Sequence, residues 1–283
     1  MSNGIWLLST WDLQPSVVIG CLLLLAVYVQ ATGRRITPKA GVFLAGVLAL
    51  GIALLSVIDV LGDSYLFSVH MIQHLLLVDV VVPLMILGTP SDVFSRLLAW
   101  PTAARVEKVL SKTWLAWMIG VLTLWVWHLP VLYDAAVAHE TLHVIEHLFF
   151  LVSAAVFWWP ILSPLEEHRI SPLSAFLYLM TGVVANSLLG ILLTYTPPNV
   201  YTAYQNPVDV LGVLTIIRNQ WHLTRLADQQ LGGLIMWIPG GLVYLLAILN
   251  AVSRWYAEEE PGLQAINSEL SAVPMESSRA RSS

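Results

Sequence analysis

The sequence is poor in charge and almost free of cysteine. Only 11% of its 283 residues are charged, less than half of the roughly 25% of a soluble domain. The mean hydropathy is strongly positive at +0.75. Together these values exclude a disordered chain, a nucleic-acid binder and an ordinary cytosolic enzyme, and leave a polytopic membrane protein. The single Cys21 excludes an intrachain disulfide, a CxxC redox pair and an all-cysteine metal cage. No GxSxG elbow and no glycine-rich phosphate loop occur, so nucleophilic hydrolysis and nucleotide chemistry have little basis. Basic residues are scarce, with a formal charge of −5. Much of that excess is at the end, where Glu258, Glu259, Glu260, Glu269 and Glu276 outnumber Arg279 and Arg281. The first 15 residues contain no Lys or Arg, so they lack the basic start of a secretory signal, and the first apolar run is expected to remain as an anchor.

What the chain does have is long apolar runs. A helix crossing the hydrocarbon core needs about 20 mainly apolar residues. Seven runs meet this, at 16–33, 40–58, 66–88, 113–132, 141–162, 173–194 and 231–252. The expected fold is all-α: a polytopic transmembrane helical bundle of about seven spans occupying 1–257, followed by a disordered acidic tail over 258–283. Eleven of the thirteen Lys and Arg residues fall on one side of this arrangement, and only Arg218 and Arg225 on the other. Cytoplasmic segments retain basic residues. The N-terminus is therefore expected outside, the C-terminus and its tail in the cytoplasm, and the chain as a multi-pass protein of the cell (inner or plasma) membrane. Trp114, Trp117, Trp158 and Trp159 mark the inner boundary and Trp125 and Trp127 the outer one. Two connections are long: an inner one over 89–112, with a short helix near 102–111, and an outer one over 195–230. Within the outer one, 207–218 is apolar but too short to span and reads as an interfacial or re-entrant helix.

Histidine placement is the most informative feature. Seven of the eight histidines belong to the outer side, and only His168 is cytoplasmic. His70 and His74 lie near the outer end of the third run, His128 near that of the fourth, and His143 and His147 near that of the fifth. At 1.5 Å per residue these five occupy a band about 10–12 Å deep. His70/His74 are spaced i, i+4, and His139/His143/His147 i, i+4, i+8, so each set shares a helix face. Two imidazoles one turn apart can chelate one metal ion. A lone histidine near a helix end is more often a wetted interfacial residue. Two pairs on neighbouring spans, with His128 at the same depth, shift the balance to a shared metal or cofactor site. His70, His74, His128, His143 and His147 are therefore the expected ligands, and Glu146, His139, Asp228 and Met71 candidates for their surroundings.

Other polar residues are less telling. Asp79, nine residues past His70, is expected on the opposite face of its helix. Asn186 and Ser187 read as interhelical hydrogen-bonding groups. Asp228, Gln229 and Gln230 read either as the N-terminal cap of the last span or as partners of the histidines. Gly232, Gly233, Gly240 and Gly241 suit close helix packing, and Pro83, Pro130 and Pro239 suit kinks or helix ends. His139-Glu140-Thr141-Leu142-His143 matches the HExxH pattern of zinc proteases, but a protease would need a third ligand and an open cleft.

Longer motifs carry a family resemblance. His70-Met71-Ile72-Gln73-His74-Leu75, Trp127-His128-Leu129-Pro130-Val131-Leu132-Tyr133-Asp134-Ala135-Ala136 and Leu142-His143-Val144-Ile145-Glu146-His147-Leu148 are similar to signatures of the CtaG-type cytochrome c oxidase assembly factors. So are Phe157-Trp158-Trp159-Pro160 and the run from Asp228 to Trp237. The resemblance covers roughly 65–250; the acidic tail is outside it. It implies a non-enzymatic role in maturation of haem–copper oxidases of the respiratory chain, with copper supplied on the outer side. The implied partners are cytochrome c oxidase subunits and an extracytoplasmic copper chaperone, besides the lipid bilayer, with no nucleic acid. Imidazole suits copper, zinc and iron alike, so ligand type does not name the metal. Two other readings remain: a b-type cytochrome holding haem between histidines of different spans, and a metal-free scaffold for oxidase subunits.

Overall fold

A computed structural model describes residues 10–34 and 37–272, with side chains described as far as residue 259. Among the described residues every regular element is helical. The principal helices are α1 (Pro15–Thr32), α2 (Pro38–Leu55), α3 (Val57–Ser64), α4 (Phe67–Gly88), α5 (Ser91–Leu98), α6 (Pro101–Leu110), α7 (Thr113–Trp127), α8 (Pro130–Ala138), α9 (Glu140–Leu162), α10 (Pro172–Tyr195) and α11 (Arg225–Ala272). Six of them, α1, α2, α4, α9, α10 and α11, are long and apolar enough to cross a membrane. A seventh span is counted only if α6 and α7, bent by 75° at their junction, are taken as one.

The apolar runs in the sequence thus coincide with helices, and the differences lie between them. Proline ends the fourth run early. Pro130 has no N–H for the carbonyl of Val126 and biases the residue before it to an extended shape. Leu129 accordingly adopts φ −63°, ψ 129°, so the run expected over 113–132 is two helices with His128 at the break. The inner connection holds two short helices, α5 and α6, where one was expected. The 207–218 segment is not the helix that was expected: only a short π-helical turn, Ile216–Gln220, forms there. Asp209 bonds the backbone N–H of Val213 at 2.8 Å, and Val213 and Ile217 pack on Leu61, Tyr65 and Leu66. The last helix continues through Glu258, where the tail was expected to lose regular structure, to Ala272; 273–283 lie outside the described residues.

Two close approaches set the bundle's shape. Gly190 of α10 and Gly233 of α11 meet backbone to backbone: a Cβ on Gly190 would lie 2.8 Å from the Gly233 carbonyl oxygen. Asn186 fastens the same pair of helices by donating to the Met236 carbonyl at 3.3 Å. Gly62 lets α3 lie directly on the backbone of His70, 3.1 Å from where its Cβ would be. In α4, residues Leu76–Val81 form a π-helical turn just before Pro83, which removes the donor that the Asp79 carbonyl would otherwise take. The indole N–H of Trp158 donates to the Val78 carbonyl at 3.0 Å in that turn.

Candidate metal centre

The start of α4, the α7–α8 break and the start of α9 meet at one end of the bundle, under α3. This end is opposite the basic helices α5 and α6, because α4 leads away from it and α7 returns to it. His70, His74, His128, His143 and His147 converge here. Ring centroids of His70 and His74 are 4.2 Å apart, of His143 and His147 4.1 Å, and of His70 and His143 5.1 Å. His74 lies 5.4 Å from His128 and 5.9 Å from His147. The i, i+4 spacing on α4 and α9 explains why each pair shares a face. The break at Pro130 explains how His128, at the C-terminal end of α7, turns in to join them.

All five are buried. Seven of their ring nitrogens have no hydrogen-bond partner: both of His70, both of His74, and Nε2 of His128, His143 and His147. A buried polar group left unpaired costs about 1–3 kcal/mol, and native proteins leave few of them. The ring orientations also suit metal binding. His128 Nδ1 lies 2.7 Å from the Leu124 carbonyl. A carbonyl only accepts, so Nδ1 carries the proton and a neutral ring presents the Nε2 lone pair to the cluster. A backbone carbonyl holding the far nitrogen is the usual support of a metal-bound imidazole.

Two carboxylates complete the donor set. Glu146 Oε1 is 3.7 Å from His74 Nε2, and neither Glu146 oxygen is hydrogen-bonded. Asp63 Oδ2 is 3.4 Å from His143 Nδ1. Beside it, Gln73 Nε2 donates to Asp59 at 2.7 Å and to the Ala53 carbonyl at 3.0 Å. Burial, then the charge of Asp63, pushes the Asp59 carboxyl up to about 7. A cleft of about 520 Å³ between α1, α2, α3 and α9 reaches the cluster and is lined there by Asp59, Asp63, His143 and His147.

An aromatic cover closes the site from the other side. Phe67, Tyr133, Tyr201 and Tyr204 pack in tilted and edge-to-face contacts with centroids 5.2–6.4 Å apart. Tyr204 donates to the Gly62 carbonyl at 2.6 Å and Tyr201 to the His128 carbonyl at 2.7 Å. Asp134 holds the chain carrying these tyrosines, accepting from the N–H groups of Thr202 and Ala203.

The remaining candidates lie elsewhere. His139 is exposed and precedes α9 in an extended conformation, so the HExxH run does not lie on one helix and His139 does not join the cluster. Met71 turns to α11, its Cγ packed over Gly232. Asp228 caps a helix, but not its own: it accepts from the N–H groups of Phe67 and Ser68 at 2.9 and 3.1 Å and from the Ser68 hydroxyl. It therefore anchors the start of α4, one turn before His70. Sequence reasoning missed Asp63 and the tyrosines. Tyr133 and Asp134 stand inside the Trp127–Ala136 motif, which was the available signal.

An uncharacterized protein of Mycobacterium bovis and one of Mycobacterium tuberculosis are each 25% identical to the chain over 212 residues, covering 69% of this chain and 31% of theirs. One of Mycobacterium leprae is 24% identical over 236 residues, covering 77% of this chain and 34% of its own. The chain thus spans about a third of the length of these relatives. No solved structure matches it. The family model for the cytochrome c oxidase caa3 assembly factor matches residues 22–258, from within α1 well into α11 and across every residue of the histidine cluster, and the chain belongs to that family.

Proposed function

We propose that this protein assists assembly of a haem–copper cytochrome c oxidase by accepting copper at the histidine cluster and passing it to an oxidase subunit. The observation that carries the proposal is the set of seven buried ring nitrogens without partners, gathered at one end of a member of the cytochrome c oxidase caa3 assembly factor family. Imidazole and carboxylate donors suit Cu(II). With Met71 turned to α11, its sulphur is not what the site offers. The partition of Lys and Arg supports a reading in which this end faces outside and the C-terminus the cytoplasm, so that an extracytoplasmic copper chaperone of a cell membrane could load it. The function requires binding and release, without turnover.

The imidazole centroids crowd to 4.1–5.9 Å of one another, which favours a compact ion over the flat macrocycle of a bis-histidine haem. Copper analysis and a visible spectrum on one preparation of the full chain test this. Stoichiometric copper without a Soret band is expected. A Soret band would establish a cytochrome, and metal-free protein that still supports oxidase activity would establish a scaffold.

A further inference from the structure

The donors are too many for one ion. Five imidazoles with Asp63 and Glu146 make seven ligating residues, whereas a single copper or zinc centre built from nitrogen and oxygen takes about four. They also fall into two groups. Ligand atoms of Asp63, His70 and His143 all lie within 4.8 Å of one another, and so do those of His70, His74 and Glu146. Each group contains one carboxylate, the anionic donor that offsets part of a divalent charge. His70 belongs to both, and an imidazole carries its nitrogens on different edges of the ring. Both nitrogens of His70 are buried and unpartnered; a neutral ring offers one lone pair, so His70 joins two ions only as the imidazolate, its remaining N–H proton being released to water as the second ion binds.

The two groups differ in access. The Asp63 and His143 side chains are 31% and 11% exposed, and both line the cleft. His74 and Glu146 are 0% exposed and do not line it. The geometry points to two adjacent copper positions joined by His70: an outer one formed by Asp63, His70 and His143 at the cleft, and an inner one formed by His70, His74 and Glu146. His128, its ring centroid 5.4 Å from that of His74, stands beside the inner position. The outer ion exchanges with the surroundings and the inner one is retained, so the site captures and stores in series. This inference rests on the reading of the cluster as a copper site.

The test is a titration of the purified full chain with Cu(II) alone, followed by equilibrium dialysis and exposure to a competing chelator. The wild type is expected to hold two copper ions per chain, one removed rapidly and one slowly. Two Cu(II) ions bridged by one imidazolate couple magnetically, so the resonance signal of isolated Cu(II) should grow with the first equivalent and fall with the second, which also releases the bridging ring's proton. Asp63→Asn, which preserves the size of a partly exposed side chain, should retain only the slow ion, and Glu146→Gln only the fast one. One copper per wild-type chain, or two in Asp63→Asn, would overturn the two-position arrangement and leave the copper reading standing. No copper in the wild type would overturn both.

Discussion

The two ends of the bundle use the same kinds of side chain in opposite ways. At the end carrying α5 and α6, His168 Nδ1 meets Glu107 Oε1 at 2.6 Å, and Trp159 Nε1 donates to the same oxygen at 2.9 Å. Arg169 and Arg254 bond the carbonyls of Ser163 and Ile170. Histidine, carboxylate and backbone satisfy one another there, which is what a structural polar cluster does. At the other end, five histidines and Glu146 are more deeply buried and leave seven ring nitrogens and both carboxylate oxygens unpaired. A histidine and a glutamate near a membrane boundary are therefore not a site in themselves; a set of donors that do not satisfy each other is what marks one.

Substitutions at the two ends can break this contrast. The largest effect is expected from His74→Ala combined with His147→Ala. Copper affinity should fall by more than the roughly 10–100-fold that losing a mere supporting partner costs a metal site, and oxidase activity should fall with it while abundance holds. Full oxidase activity in a stable double mutant would detach the histidines from the function. Next comes Asp228→Ala, which strips the cap from α4 and leaves two buried N–H groups unpaired. It should cost about 1–3 kcal/mol in thermal unfolding and weaken copper binding through the displaced His70. Glu107→Ala at the opposite end should cost about 1 kcal/mol with unchanged copper content. A copper loss there matching that of the double histidine mutant would show that the ends do not act separately. His139→Ala should be the smallest, within about 0.5 kcal/mol in stability and silent in copper binding.

The sequence made part of this legible for specific reasons. His70/His74 and His143/His147 could be paired because a helix face follows from spacing alone, and their common depth followed from counting residues inward from the span ends. Asp63 could not be found that way. It sits on α3, eight residues with two acids and a glycine, which a search for long apolar runs passes over. The tyrosine cover was hidden because Tyr201 and Tyr204 lie in irregular backbone, where no period relates one residue to the next. Asp79 shows regular spacing misleading. In an uninterrupted α-helix it would face away from the histidines, but the π-turn closes with i→i+5 bonds and brings residue 79 round toward the side of residue 74. Both now line one small hollow with Asn186 and Met236.

The break at Pro130 also has a consequence for the lipid. With 15 residues, α7 is about 22 Å long, against a hydrocarbon thickness of about 30 Å. A bilayer accommodates a short span by thinning around it. Were the deficit met at the Trp127–His128 end, the membrane surface would lie nearer the histidines, and an ion loading the proposed copper site would have less hydrocarbon to pass. Acyl-chain length then becomes a control on loading: copper uptake should slow in vesicles of longer-chain lipid and be indifferent to chain length once the protein is in detergent.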